Sequence, residues 1–200
     1  MDRFEHYAEL DQQFTEGVHF SRIAADRGGT ILILAPHGGG IERGTSELAR
    51  SIAGEDLSLY LFEGLMPTAV QSQELHITST NFDEPRCLTL IGKFETALAI
   101  HGSSGKEPMI YVGGKDDDLK DVLIAELSAR GHPVRPATGR FAGIFPTNIC
   151  NRTHSGKGVQ LELSNGLRRS LFEEWRTRTG RKSTTSLFAK LASDIRDILE

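Results

Sequence analysis

The sequence predicts one α/β domain built on an open, mixed and largely parallel β-sheet flanked by helices. Three observations carry that expectation. Short apolar runs closed by turn-forming residues recur along the chain, and helical periodicities lie between several of them. In addition, 200 residues with 38% apolar content suffice for a single compact core. In such sheets ligands gather beyond the carboxyl ends of the strands, so residues placed there are the first to consider for a site.

The opening 25 or so residues are polar and read as a helical or loose N-terminal extension. TILILAP, from Thr30 to Pro36, is a continuous apolar run between Gly-Gly and His-Gly-Gly-Gly, the pattern of a buried central strand. GTSELARSIAG, from Gly44 to Gly54, predicts a helix, with Thr45 or Ser46 as N-cap, Leu48, Ala49, Ile52 and Ala53 on one face, and a closing glycine. The other strand candidates are LSLYLFEG at 57–64, LHITS at 75–79, LAIHG at 98–102, PMIYVGG at 108–114 and VQLELS at 159–164. Helices are expected over 84–93 and 120–130, the second closed by Gly131. Leu187, Leu191, Ile195 and Ile198 line one face of an amphipathic C-terminal helix over 184–199 that packs on the sheet. There is no repeat or linker, so a single domain is expected to span 1–200.

Composition narrows the function classes. Lys plus Arg number 23 against 27 Asp plus Glu, and a formal charge of −4 argues against binding nucleic acid by phosphate neutralisation. Cys87 and Cys150 form no CxxC pair, so neither a disulfide framework nor a thiolate metal site is written here. The polar opening has no apolar core of a signal peptide, and no apolar run approaches the roughly 18 residues of a membrane span. Cytoplasmic synthesis is therefore expected, with release by host lysis as the route to any external substrate.

His37 follows a predicted strand, stands beside three glycines and precedes Glu42 by five residues, so the chain can fold back and aim both side chains at one atom. A catalytic zinc site needs three nitrogen or oxygen ligands and an open position, and two histidines with one glutamate meet that need. His101, also at a strand end and followed by glycine, supplies the second imidazole, giving one zinc per chain. In VQLELS the alternation sets Val159, Leu161 and Leu163 on one face and Gln160 with Glu162 on the other. Glu162 is then the expected general base, taking a proton from a zinc-activated water, unless the strand is an edge and the carboxylate merely solvated. Asn151 and Arg152 form a polar pair suited to a substrate carboxylate, with Arg43 and Lys157 as helpers.

Competing motifs are weaker. GGIERGTS has the glycines of a phosphate loop, but Thr45 stands where its lysine must be. No GxSxG nucleophile elbow occurs. The aspartates between Lys115 and Asp121 suit a helix start.

The motifs PHGGGIERGTSELA, SLYLFEGL, LHITSTNFDEP, LAIHG, TNICNR and SGKGVQLELS, in this order over about residues 30–173, resemble the phage poly-γ-glutamate hydrolases and their prophage-encoded relatives. The resemblance implies a zinc carboxypeptidase-like fold, zinc ligands at His37, Glu42 and His101, a catalytic carboxylate at Glu162, and a polyanionic γ-glutamyl polymer as substrate. Two rival functions share parts of this pattern. A zinc peptidoglycan amidase also presents a His, Glu, His, Glu series after a Gly-rich loop, and a prophage protein can keep the fold only to bind.

Overall fold

The apolar run after Thr30 becomes a strand buried on both faces, and the rest of the sheet assembles around it. The computed structural model describes residues 2–66 and 73–200. In chain order the elements are α1 Tyr7–Gln13, β1 Phe20–Ala25, β2 Ile31–Gly39, α2 Thr45–Ala53, β3 Ser58–Gly64, α3 Pro85–Ile91 and β4 Thr96–Ser103. There follow β5 Ile110–Gly114, α4 Asp117–Ala129, β6 Val134–Pro136, β7 Val159–Ser164, α5 Asn165–Ser170 and α6 Ser186–Leu199. The strands form one seven-stranded mixed sheet in the order β1-β3-β2-β4-β7-β5-β6. β3, β2, β4 and β7 run parallel, whereas β1 at one side and β5 and β6 at the other run against them.

The chain leaves β2 through α2 to reach β3 on one side, and later enters β4 on the other side of β2. The carboxyl ends of β2 and β4 therefore flank the point where the winding reverses, and a crevice opens there.

The period of two in the strands divides the core into two layers. Ile31, Ile33, Leu98, Ile100, Val159, Leu161 and Leu163 pack with α2, α4 and α6. Leu32, Leu34, Tyr60, Phe62, Ala97 and Ala99 face the other layer, which Phe4, Tyr7, Leu10 and Phe20 help to fill. The N-terminal segment read as an extension is thus part of the core, with Phe20 stacked on Phe62 at 5.0 Å. Arg22, on β1, donates to the Tyr7 hydroxyl at 2.7 Å and to Glu84 at 2.8 Å, while Glu84 also accepts from Tyr60 at 2.7 Å and caps α3.

Three local expectations need correction. LHITS is not a strand: Leu75 and Ile77 are buried, but they plug the second core layer from an irregular segment without a ladder. Their alternation reflects burial alone. The N-cap position of α2 is Gly44, in the left-handed region at φ 91°, rather than Thr45 or Ser46. β1 and β6 went unread because each is an outer strand, half-exposed and paired on one side, where polar residues and Pro136 are tolerated. No described helix is long and apolar enough to cross a membrane, and both cysteines are free and buried.

Candidate metal centre

Parity along β2 would send residue 37 to the same face as Ile33 and Ala35, toward α2. Pairing with β3 instead shifts register between Ala35 and Gly38, a bulge that also accommodates Pro36 inside the sheet. The shift turns His37 to the face that holds His101 and Glu162, whose strand neighbours Ile100, Leu161 and Leu163 point the opposite way. His101 and Glu162 are register partners on adjacent parallel strands. β7 lies between β4 and β5, so Glu162 is on an interior strand and not a solvated edge.

The turn after β2 is held by its own hydroxyls and glycines. Ser46 Oγ accepts from Gly39 N at 2.8 Å, Thr45 Oγ1 donates to the Glu42 carbonyl at 2.8 Å, and Glu42 N donates to the His37 carbonyl at 2.7 Å. Gly39 has φ +65°, and a Cβ there would stand 2.5 Å from the Gly64 carbonyl oxygen. This turn carries Glu42 back over the strand ends, where Gly102 N donates to its Oε2 at 2.8 Å.

Three donors then converge. His37 Nδ1 lies 3.2 Å from His101 Nδ1 and 3.4 Å from Glu42 Oε1, and His101 Nδ1 lies 3.6 Å from Glu42 Oε2. Ligands bonded to one zinc ion at roughly 2.0 to 2.2 Å in a tetrahedron stand about 3.3 to 3.6 Å apart. The donor set therefore has the right types and spacing for such an ion. His37 Nε2, 2.7 Å from the Ile77 carbonyl, is best satisfied by carrying the ring proton, which leaves the Nδ1 lone pair facing the centre. His101 Nε2 is buried and has no hydrogen-bond partner among the described residues. Burial acts to raise the Glu42 pKa, yet the two imidazoles hold it well below the usual carboxylate range. Burial likewise acts to lower His101, but Glu42 raises it. Glu162 is shifted upward by burial, against the opposing pull of His101.

A third imidazole, which the sequence reading passed over inside LHITS, joins the group. The His76 ring lies tilted against that of His37 with centroids 4.2 Å apart, and its Nε2 lies 3.9 Å from Glu42 Oε1. His37, Glu42 and His76 together also satisfy the spacing of a potential metal cluster. The signal was present, since the residue alternates with buried Leu75 and Ile77, but its meaning depends on a fold-back that no local pattern announces.

Two hollows, of about 630 and about 550 Å³, meet at Glu42, His76 and Gly102. The larger contains His37, His101, Glu162 and the segment Gly139–Phe145, including Arg140. The smaller contains Ser103–Lys106 and Arg168. Gln160 anchors the wall of the larger one by donating to the Phe141 carbonyl at 3.0 Å and accepting from Asn148 at 2.9 Å. Arg168 is buried and donates to the Leu163, Arg43 and Ser103 carbonyls.

The expected substrate pair falls elsewhere. Asn151 is buried, its amide donating to the Gly143 and Phe145 carbonyls at 2.7 and 2.9 Å, so it braces the cleft wall from behind. Arg152 and Lys157 are exposed and line neither hollow; the chain beside them bonds to Phe94, ahead of β4, at the opposite end of the sheet. Arg43 is half-buried next to Glu42 but outside both linings. The structure brings together His37, Glu42, His101 and Glu162, and does not bring Asn151, Arg152 or Arg43 to them.

Comparison with known proteins agrees with this architecture. The family model described as poly-gamma-glutamate hydrolase matches residues 4–194. YndL of Bacillus subtilis (strain 168) is 39% identical over 173 residues, covering 86% of this chain and 67% of its own length, so the chain spans about two thirds of that relative. A bacteriophage poly-gamma-glutamate hydrolase structure superposes with TM-score 0.95 at 34% identity, covering all of this chain and 97% of the other. The zinc-free apo form of YndL gives TM-score 0.94 at 35% identity, covering 100% of this chain and 98% of that one.

Proposed function

The chain belongs to the poly-γ-glutamate hydrolase family, and on that premise we propose that it hydrolyses γ-glutamyl amide bonds of a polyanionic polyglutamate, with zinc held by His37, Glu42 and His101 and Glu162 as general base. The observation that carries this reading is the convergence of two Nδ1 atoms and one carboxylate at 3.2 to 3.6 Å, with Glu162 in register beside His101. That YndL has an apo form called zinc-free supports zinc as the ion.

Zinc bound at this set supplies Lewis acidity, polarising a carbonyl and lowering the pKa of a water toward about 7. Glu162 takes a proton from the attacking water as its oxygen bonds to the carbonyl carbon, and delivers that proton to the amide nitrogen, so the C–N bond breaks with a neutral amine leaving. Burial shifts its pKa upward, the direction that favours a carboxyl group which must first take and then give a proton. Arg140 and Lys106 pair with no carboxylate among the described residues and stand in opposite hollows. They offer cations to a polymer with a free carboxylate on each repeat, despite the net charge of −4.

The test is incubation of the purified protein with poly-γ-glutamate and, separately, with purified cell wall, before and after chelation. Shortening of the polymer that stops on chelation and returns with zinc is expected. Release from the wall alone would move the reading to a peptidoglycan amidase, and hydrolysis indifferent to chelation would remove the metal set. Binding of the polymer without cleavage would leave a binding protein.

A further inference from the structure

His76 is aimed, and something reaches across the fold to aim it. Asp2 Oδ1 lies 2.7 Å from His76 Nδ1, while Asp2 Oδ2 accepts from both the backbone N and the Oγ1 of Thr78 at 2.6 Å each. A carboxylate against Nδ1 requires that nitrogen to carry the proton, which leaves the lone pair on Nε2. Nε2 points toward Glu42 from the wall common to both hollows, so a chain crossing from one to the other passes its edge. At 3.9 Å from Glu42 Oε1, Nε2 lies beyond the 3.2 to 3.6 Å spacing that joins the other three donors to one another. Its ring packs against that of His37, at the end of β2, whereas Glu162 stands two strands away on β7, with β4 between. His76 and Glu162 thus flank the centre from opposite sides.

Resting on the hydrolase reading above, we infer that His76 is a further catalytic residue, aligned by Asp2, whose Nε2 accepts a hydrogen bond from the N–H of the scissile amide. The bond has a stereochemical purpose. As water adds to the carbonyl carbon, the nitrogen becomes pyramidal and must turn its new lone pair to the proton carried by Glu162. An acceptor on the far side, holding the N–H, fixes that orientation.

The experiment compares wild type, His76→Ala, His76→Gln and Asp2→Asn on a γ-linked glutamate oligomer and on its analogue with the scissile N–H replaced by an ester oxygen, with zinc affinity measured by chelator competition. For the amide, His76→Ala should lower kcat by about 10- to 100-fold with zinc affinity unchanged, His76→Gln should recover part of the loss through its carbonyl oxygen, and Asp2→Asn should lose less than His76→Ala. On the ester, which has no N–H to hold, His76→Ala and wild type should turn over at similar rates. Equal losses on both substrates would overturn the inference. So would a fall in zinc affinity, which would make His76 a metal ligand, or wild-type rates from His76→Ala on the amide. Failure of the wild type to cleave the γ-linked oligomer would instead remove the hydrolase reading, so the two failures are distinguishable.

Discussion

Glu162 and Glu42 show how one residue type takes two characters within one hollow. Glu42 sits between two imidazoles and accepts from Gly102 N, which favours its ionised form despite burial. Among the described residues Glu162 has only a long 3.5 Å contact from Gln160, and burial shifts its pKa upward. Glu162→Gln, nearly isosteric, should therefore keep zinc affinity and lower kcat by about 10²- to 10⁴-fold, whereas His37→Ala or His101→Ala should lose the metal as well. Paired measurement of chelator-competed zinc binding and hydrolysis separates these outcomes, and full activity in the Gln variant would remove Glu162 from its role. The two histidines were readable in the chain because each stands where an apolar run meets a glycine turn, Glu42 because it follows His37 by five residues across that turn, and Glu162 because it breaks an apolar alternation. His76 was not, because its alternation with Leu75 and Ile77 imitates a strand.

At the scale of the element, the turn between β2 and α2 does the positioning. The bulge at Pro36 and His37 inverts the face of one histidine, and the backbone at Gly39 then approaches β3 too closely for any side chain. Gly39→Ala should destabilise the protein by about 1 to 3 kcal/mol, from the positive φ and the clash with the Gly64 carbonyl, and should weaken zinc binding as the His37–Glu42 turn shifts. Denaturant unfolding reads the first effect and metal competition the second; unchanged values of both would show that the turn tolerates a Cβ. The three consecutive glycines signalled a tight turn at this place. Which glycine is indispensable, and that Ser46 and Thr45 bind back to the turn instead of capping the helix, depends on the contact with β3.

Across the whole molecule, α6 closes the structure by packing on α2 and α4, and one polar cluster pins it there. Asp194 lies 2.6 Å from His132 Nε2 and accepts from Lys190 and Arg130, so that, although burial acts to raise it, its pKa falls to about 2 from an unfolded value near 3.8. A depressed carboxylate stabilises the fold above its unfolded pKa and loses that contribution as pH falls toward the folded value. Asp194→Asn should cost up to about 1 kcal/mol at pH 7, and the gap from wild type should close between about pH 4 and pH 2. Thermal unfolding followed over that range checks it, and a gap independent of pH would assign the effect to packing. By itself the sequence determined the fold class, most of the interior strands and long helices, and the chemical types able to hold a metal. Those follow from local periodicity and from turn chemistry, which act over a few residues. Tertiary structure alone decided that the N-terminal segment completes the core, that Asn151 braces a wall instead of meeting a ligand, and that Asp2 reaches His76. Asp2 and His76, for example, stand 74 positions apart, and no periodicity within either segment encodes the other.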